Sequence, residues 1–303
     1  MKPAPFEYFC PDTLEEALAL LAEHGSDAKP LAGGQSLIPA MNFRLATPSV
    51  LVDLNALTNL AHVTVGDGSV RIGGMTRHRT LETNADVARE LPLVAMTMPF
   101  VAHAAIRSRG TIGGSLAHAD PAAELPAVML ALQATINVQK QGRARSVPAG
   151  EFFTGLFSTA LDPGEIVTEV EVPRTIPAVE NQAGLRCGYA FDEVSRRHGD
   201  FALAGAAAAV TVDEAGVCTS ARVALLSVAD RPVMAEQVSR ALVGQPITRG
   251  PLSQLIRDAA ASAASTDIDP ASDIHASSRY RASLAAVLIR RVLERAFMSL
   301  VSE

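Results

Sequence analysis

Two runs of small residues, Ala32-Gly33-Gly34-Gln35-Ser36 and Thr111-Ile112-Gly113-Gly114-Ser115, decide how this chain reads. Each joins a glycine pair to a hydroxyl side chain between apolar flanks. Such a run lets backbone N–H groups approach an anion with no side chain in the way. Two in one chain point to a ligand with a diphosphate at its centre, gripped from both sides. Neither is a G-x-G-x-x-G dinucleotide fingerprint, and the first lacks the lysine of a phosphate-binding loop. Taken alone, the first also reads as a plain turn, because glycine pairs are common in turns.

Outward from the first run the pattern is α/β. Thr13 and Glu16 have the spacing of a capping box, and Leu14, Ala17, Leu18 and Leu21 follow at helical spacing until Gly25. Lys29-Pro30-Leu31-Ala32 predicts a strand entering the run, Leu37 to Arg44 a helical turn, and Val50 to Leu54 a buried strand. Val63-Thr64-Val65, Gly66-Asp67-Gly68 and Val70 to Gly73 predict a hairpin. Residues 81–91, 93–105 and 122–132 read as helices, and 134–138 and 166–172 as strands. Pro173 to Gly184 is the expected linker. Beyond it, three strand-like runs (188–195, 201–213, 218–228) precede three helical ones (234–242, 252–263, 279–300), which predicts an antiparallel sheet with helices on one face.

The 303 residues suit two domains, and 48% hydrophobic residues suffice for a sizeable core. A net charge of −6 argues against nucleic-acid binding. Cys10, Cys187 and Cys218 are scattered, unlike a disulfide framework or zinc and iron–sulfur ligands, and are expected to be reduced thiols. There is no signal-peptide core, and the apolar stretch 201–212 is too short to span a bilayer, so a cytoplasmic protein is expected.

Few other residues suggest chemistry. His118 and Asp120 have no third ligand nearby and read as a solvated loop pair. Segment 106–110, with Arg107 and Arg109, reads as polar and exposed. Arg196-Arg197-His198 reads equally as an anion-steering patch or a charged strand end. Arg279 to Arg295 supplies helix-face salt bridges or a subunit contact. Glu124 reads equally as an acceptor for a ribose or ribitol hydroxyl and as a first-turn glutamate favoured by the helix dipole. No serine–histidine–acid set or activated cysteine stands out, which suits a protein whose cofactor carries the chemistry.

In order along the chain, Ala32 to Leu37, Val52-Asp53-Leu54, Ile106-Arg107, Thr111 to Leu116, Asp120-Pro121 and Phe191-Asp192-Glu193-Val194-Ser195-Arg196-Arg197-His198-Gly199-Asp200-Phe201-Ala202 resemble the FAD-binding medium subunit of molybdenum hydroxylases, the xanthine dehydrogenase and carbon monoxide dehydrogenase type. The resemblance implies an α+β protein. A two-part FAD-binding domain of the vanillyl-alcohol-oxidase type would span 1–176 (parts about 1–55 and 56–176). A small antiparallel-sheet-plus-helices domain, 177–303, would close over the flavin. It implies that Ala32, Gly33, Gly34, Gln35, Ser36, Leu37, Thr111, Gly113, Gly114 and Ser115 bind the diphosphate. Glu124 would contact the adenosine side, Val101 and Ile106 would line the flavin pocket, and Ile166, Phe191 and Asp192 would lie near the isoalloxazine.

By the same resemblance, substrate oxidation occurs at a molybdenum–molybdopterin cofactor on a large partner. Two [2Fe–2S] clusters on a small partner feed electrons to the FAD here, in a dimer of heterotrimers. Three departures stand out. Ser115 replaces a frequent asparagine, and Glu124 replaces an aspartate. Asp192 falls where NAD-reducing relatives carry lysine, and an anion there speaks against NAD as acceptor. An autonomous flavin oxidase of the same fold and a cofactor-free scaffold subunit are the competing readings.

Overall fold

Three short apolar strands near the start of the chain run parallel because helical segments, not tight turns, connect them. The computed structural model describes residues 2–174, 184–247 and 249–300. Glu7–Phe9, Val50–Asp53 and Ala28–Leu31 form the first sheet, with the fully buried Val50–Asp53 at its centre. Helix Leu14–His24 buries Ala17, Leu18 and Leu21 against it. The Thr13 hydroxyl accepts from the Glu16 amide at 3.2 Å, and the Asp12 amide donates to the Glu16 carboxylate at 3.1 Å. This is the expected capping box with its return bond one residue early.

The second sheet is antiparallel, in the spatial order Val63–Val65, Ser69–Gly73, Ile166–Pro173, Thr135–Lys140, Arg143–Pro148. The last of these has no counterpart in the sequence reading. It is an edge strand with only Val147 buried, so it carries no apolar alternation to read. The two long helices expected over 81–91 and 93–105 are instead short ones: His78–Thr83, Ala85–Glu90, Pro92–Thr97, the 3₁₀ turn Met98–Phe100, and Ala104–Arg107. Asn84 ends one helix and caps the next, its Oδ1 accepting from the amides of Asp86 (2.8 Å) and Val87 (3.0 Å). Pro92 lacks the N–H that a continuing helix needs. The apolar period survives these breaks because Leu81, Val87, Leu93, Val94 and Met98 all enter one core.

The C-terminal sheet is antiparallel in chain order: Arg186–Ser195, Ala202–Val212, Cys218–Leu226, Val233–Met234. All eleven residues of Ala202–Val212 are buried. Ala204, Ala206, Ala208, Val210 and Val212 face the domain's own helices, Glu236–Leu242, Arg249–Thr266 and Ser278–Met298. Ala207 and Ala209 belong to the core of the preceding domain, with Phe191 and Leu226 from the flanking strands. The sheet is therefore covered on both faces, its outer face by helices Pro92–Thr97 and Glu124–Ala131. Alanine is small enough to let helices approach from either side.

The arginines of the last helix are largely paired. Arg281 is buried, donates to the Leu203 carbonyl at 2.6 Å and pairs with Asp273 at 2.7 Å. Arg290 meets Glu294 at 3.1 Å. Of the expected linker, Pro173 closes a strand and Arg174 pairs with Glu90 at 2.7 Å. Its remainder, 175–183, lies outside the described residues, and so does the expected 176/177 boundary. Among the described residues no helix is long and apolar enough to cross a membrane.

Candidate functional site

The first glycine run leaves the end of strand Ala28–Leu31 and turns into the short helix Leu37–Asn42. Gly34 sits at φ +71°, a left-handed conformation that side chains disfavour. Gly33 touches the second run's approach so closely that a Cβ would lie 2.7 Å from the Gly110 Cα. Among the described residues the amides of Gly33, Gly34, Gln35 and Ser36 have no protein partner. Consecutive free N–H groups around a left-handed residue form an anion-binding concavity. Gly33, Gly34 and Gln35 line a cleft of about 310 Å³, together with Ile38, Asp53, Asn55 and Arg109. That volume is at the small end of ligand pockets and suits part of a dinucleotide.

The second run is not a free loop but the first turn of helix Ile112–His118, capped by Thr111. Its amides are taken. Ile112 donates to Thr76 (3.1 Å), Gly113 to Gly74 (2.9 Å), Gly114 to the Thr111 hydroxyl (3.1 Å) and Ser115 to the Thr111 carbonyl (3.0 Å). His78 N–H donates to Gly110 at 2.9 Å, so segment 74–78 is zipped along 110–113. What the second run offers is closeness. A Cβ on Gly113 would lie 2.6 Å from the Gly74 carbonyl oxygen, and one on Gly114 would lie 3.4 Å from the Ala32 Cβ. The fold thus brings the two runs together, with the free amides on the first and packing on the second.

Alongside Gln35 and Asp53, three side chains that the sequence reading did not single out, Tyr8, Asn55 and Arg77, join the network around the runs. Asn55 donates through Nδ2 to the Ala32 carbonyl at 3.0 Å and to Asp53 Oδ1, while its Oδ1 accepts from Arg77 Nη2 at 2.5 Å. Arg77 Nη1 donates to the Arg109 carbonyl, and Gln35 Nε2 donates to the Gly33 carbonyl at 2.9 Å. Tyr8 donates to Asp53 Oδ2 at 2.5 Å, and that bond raises the phenol above its ordinary range. Arg77 is lowered by burial and by the neighbouring Arg109 charge. Beneath Gly110, His78 is buried without a side-chain hydrogen bond and is pushed down to about 4, chiefly by burial.

Other expected residues fall elsewhere. Arg107, expected exposed, is buried. It holds Glu82 through two 3.0 Å bonds and donates to the carbonyls of Val101 (2.9 Å) and Ala102 (3.0 Å). It thereby braces the turn that carries Val101, while Ile106 is half-buried and its carbonyl accepts from Gly110 N–H at 2.8 Å. Phe191 crosses from the C-terminal sheet to meet Phe100 edge-on, centroids 5.0 Å apart. Ile166 is buried in the core of the first sheet. Asp192 lies on the face of its strand opposite Phe191, toward the last helix, 3.2 Å from Arg295 and 3.9 Å from Arg291. Its charge is thus paired with two arginines of the last helix.

Glu124 opens helix Glu124–Ala131 and is buried, which pushes it up to about 7. Glu193, on the Phe191 face, is pushed up to about 8 by burial, then by Glu124 and Asp192. His118 is exposed and lies against Phe157 with the rings tilted by 39°, and Asp120 accepts from the Ala122 amide at 2.9 Å. Arg196 pairs with Asp200 at 3.4 Å and contacts His275 at 3.0 Å, and the adjoining Gly199 abuts His103. Cys10 is exposed, Cys187 half-buried and Cys218 buried, all as free thiols.

Residues 4–175 match the family model described as FAD binding domain in molybdopterin dehydrogenase, and residues 189–296 match CO dehydrogenase flavoprotein C-terminal domain. The chain is 42% identical to the 6-hydroxypseudooxynicotine dehydrogenase complex subunit alpha of Paenarthrobacter nicotinovorans, covering 98% of this chain and 96% of that protein. It is 38% identical to the carbon monoxide dehydrogenase medium chain of Afipia carboxidovorans, covering 98% of each. Among solved structures it resembles a chain of carbon monoxide dehydrogenase from Hydrogenophaga pseudoflava (TM-score 0.91, 35% identity, 98% of this chain and 99% of that one). It equally resembles a chain of quinoline 2-oxidoreductase from Pseudomonas putida 86 (TM-score 0.89, 39% identity, 99% of each).

Proposed function

The chain belongs to the family of FAD-binding subunits of molybdopterin dehydrogenases, and from that premise we propose that it is the electron-transferring flavin subunit of a heterotrimeric molybdenum hydroxylase. It would accept electrons from [2Fe–2S] clusters on a small partner, while a large molybdenum-bearing partner oxidises the substrate. An external acceptor would then take the electrons. The observation that carries this reading is the row of unpaired amides from Gly33 to Ser36, three of whose residues line a cleft, with Gly114 of the second run close against Ala32. The donor set fits a diphosphate: several neutral N–H groups, Arg109 among the lining residues, and no room for a bulky residue at Gly33.

When bound, FAD supplies the redox ring, which accepts and releases electrons. This chain's residues would bind, orient and enclose it. The Gly33–Ser36 amides and the Ser115 hydroxyl would hold the diphosphate, and the Arg107-braced turn would present Val101 and Ile106 to the ring. Phe191, wedged on Phe100, would keep water from that side. Glu124, pushed up to about 7 and so partly protonated near neutral pH, would donate to as well as accept from a cofactor hydroxyl.

The test is the flavin content of the purified full chain, alone and with its partners. We expect a yellow protein with a single FAD per chain, lost in Gly33→Val. A colourless chain that ignores added FAD overturns the reading.

A further inference from the structure

Three carbonyl oxygens beside the cleft, those of Ala32, Gly33 and Arg109, would face a bound anion with like-signed partial charge if left free. Each is engaged by a side-chain donor: Asn55 Nδ2 on Ala32 at 3.0 Å, Gln35 Nε2 on Gly33 at 2.9 Å, and Arg77 Nη1 on Arg109. Two of the three donors are joined, since Arg77 Nη2 also donates to Asn55 Oδ1 at 2.5 Å. Arg77 and Asn55 thus tie Ala32, in the first run, to Arg109, in the approach to the second. The Arg77 backbone bridges to Thr111 as well. We propose that Arg77 is a positioning residue that fixes the spacing of the two glycine runs and, with Asn55 and Gln35, occupies the carbonyls that would repel a diphosphate. The inference rests on the cleft being the diphosphate site.

Arginine suits this place. Its planar fork serves two acceptors in fixed directions, which the single ammonium of lysine does not. Tyr8 and Asp53 back the arrangement from behind, Asp53 accepting from both Tyr8 and Asn55.

The experiment is equilibrium binding of FAD and of ADP to the flavin-stripped full chain, with thermal melts of the ligand-free proteins. In Arg77→Met we expect both dissociation constants to rise by about tenfold or more, with a ligand-free melt within a few degrees of wild type. Arg77→Lys should recover part of the loss. Unchanged binding in Arg77→Met overturns the proposal. So does a loss confined to FAD, which would place the effect at the ring and not at the diphosphate. If Arg77→Met does not fold, Asn55→Ala leaves the Arg77–Arg109 bond in place and is read in the same way. If the wild-type chain binds neither ligand, the diphosphate reading itself falls, which is a different result from a silent Arg77 substitution.

Discussion

At Gly113 a methyl group is the difference between fit and collision. A Cβ there meets the Gly74 carbonyl oxygen at 2.6 Å, and that oxygen is fixed by the zipped segment 74–78. Gly113→Ala is expected to cost about 1–3 kcal/mol, as overpacking does. Gly150 is the control: its Cβ would meet only Leu130 Cδ1 at 4.0 Å, at a negative φ. Gly150→Ala should be neutral or stabilise by up to about 1 kcal/mol through the unfolded chain. Urea unfolding of the two variants side by side checks both. Composition alone ranks these glycines together, and only their neighbours separate them. Arg107 makes the same point. Its charge read as exposed, yet Glu82 and two backbone carbonyls satisfy it in the interior.

Helix Glu124–Ala131 meets charged side chains of the C-terminal sheet at both ends. Arg222 donates to the carbonyls of Ala131 (2.9 Å) and Leu130 (3.0 Å), while Glu193 lies within electrostatic reach of Glu124 at the other end. An arginine at the C-terminal carbonyls suits the helix dipole. The two buried glutamates make the N-terminal contact sensitive to pH. Folding raises both from 4.5, to about 7 for Glu124 and about 8 for Glu193, so the folded chain holds protons that the unfolded chain has released. Stability from this source is complete below pH 4.5 and falls as pH rises through about 7 to 8. His78, lowered from 6.5 to about 4, acts oppositely and only below 6.5. Melts between about pH 7 and 9 therefore isolate the glutamates. Wild type should lose stability across that range, and Glu193→Gln should flatten the curve and melt higher at its alkaline end. A variant that tracks wild type at every pH would remove Glu193 from the account.

Across the whole molecule, the C-terminal sheet is bound to the preceding domain because its outer face is a wall of that domain's core. Phe191, Ala207, Ala209 and Leu226 share that core with Met98, Leu125 and Met129. Phe191→Ala should cost about 3–5 kcal/mol, the usual range for a buried phenylalanine, and should speed release of FAD. A denaturant midpoint and the rise of free-flavin fluorescence measure the two effects. Loss of stability with unchanged release would leave Phe191 a core residue only. Bound FAD should raise the melting temperature of the wild-type chain with the logarithm of its concentration, adding about 2.7 kcal/mol at a hundred times the dissociation constant.

What the sequence determined by itself is local: the Thr13 cap, the 66–68 turn, the largely apolar strand within 201–213 and the two glycine runs. Each depends on residues a few positions apart, which is the range over which backbone bonds and apolar periods act. The order of the motifs also carried the family. What only the tertiary structure decided is which partner each polar group finds. Arg77 reaches a carbonyl 32 residues away, Asn55 one 23 residues away, and the Ile112 and Gly113 amides of the second run are claimed by segment 74–78. The same alternation that read Phe191 and Asp192 as neighbours in sequence sends them to opposite faces of one sheet, one into the cofactor domain's core and one onto the last helix. A polar side chain's role is set by whichever donor or acceptor burial leaves within reach, and chain folding alone brings those groups together.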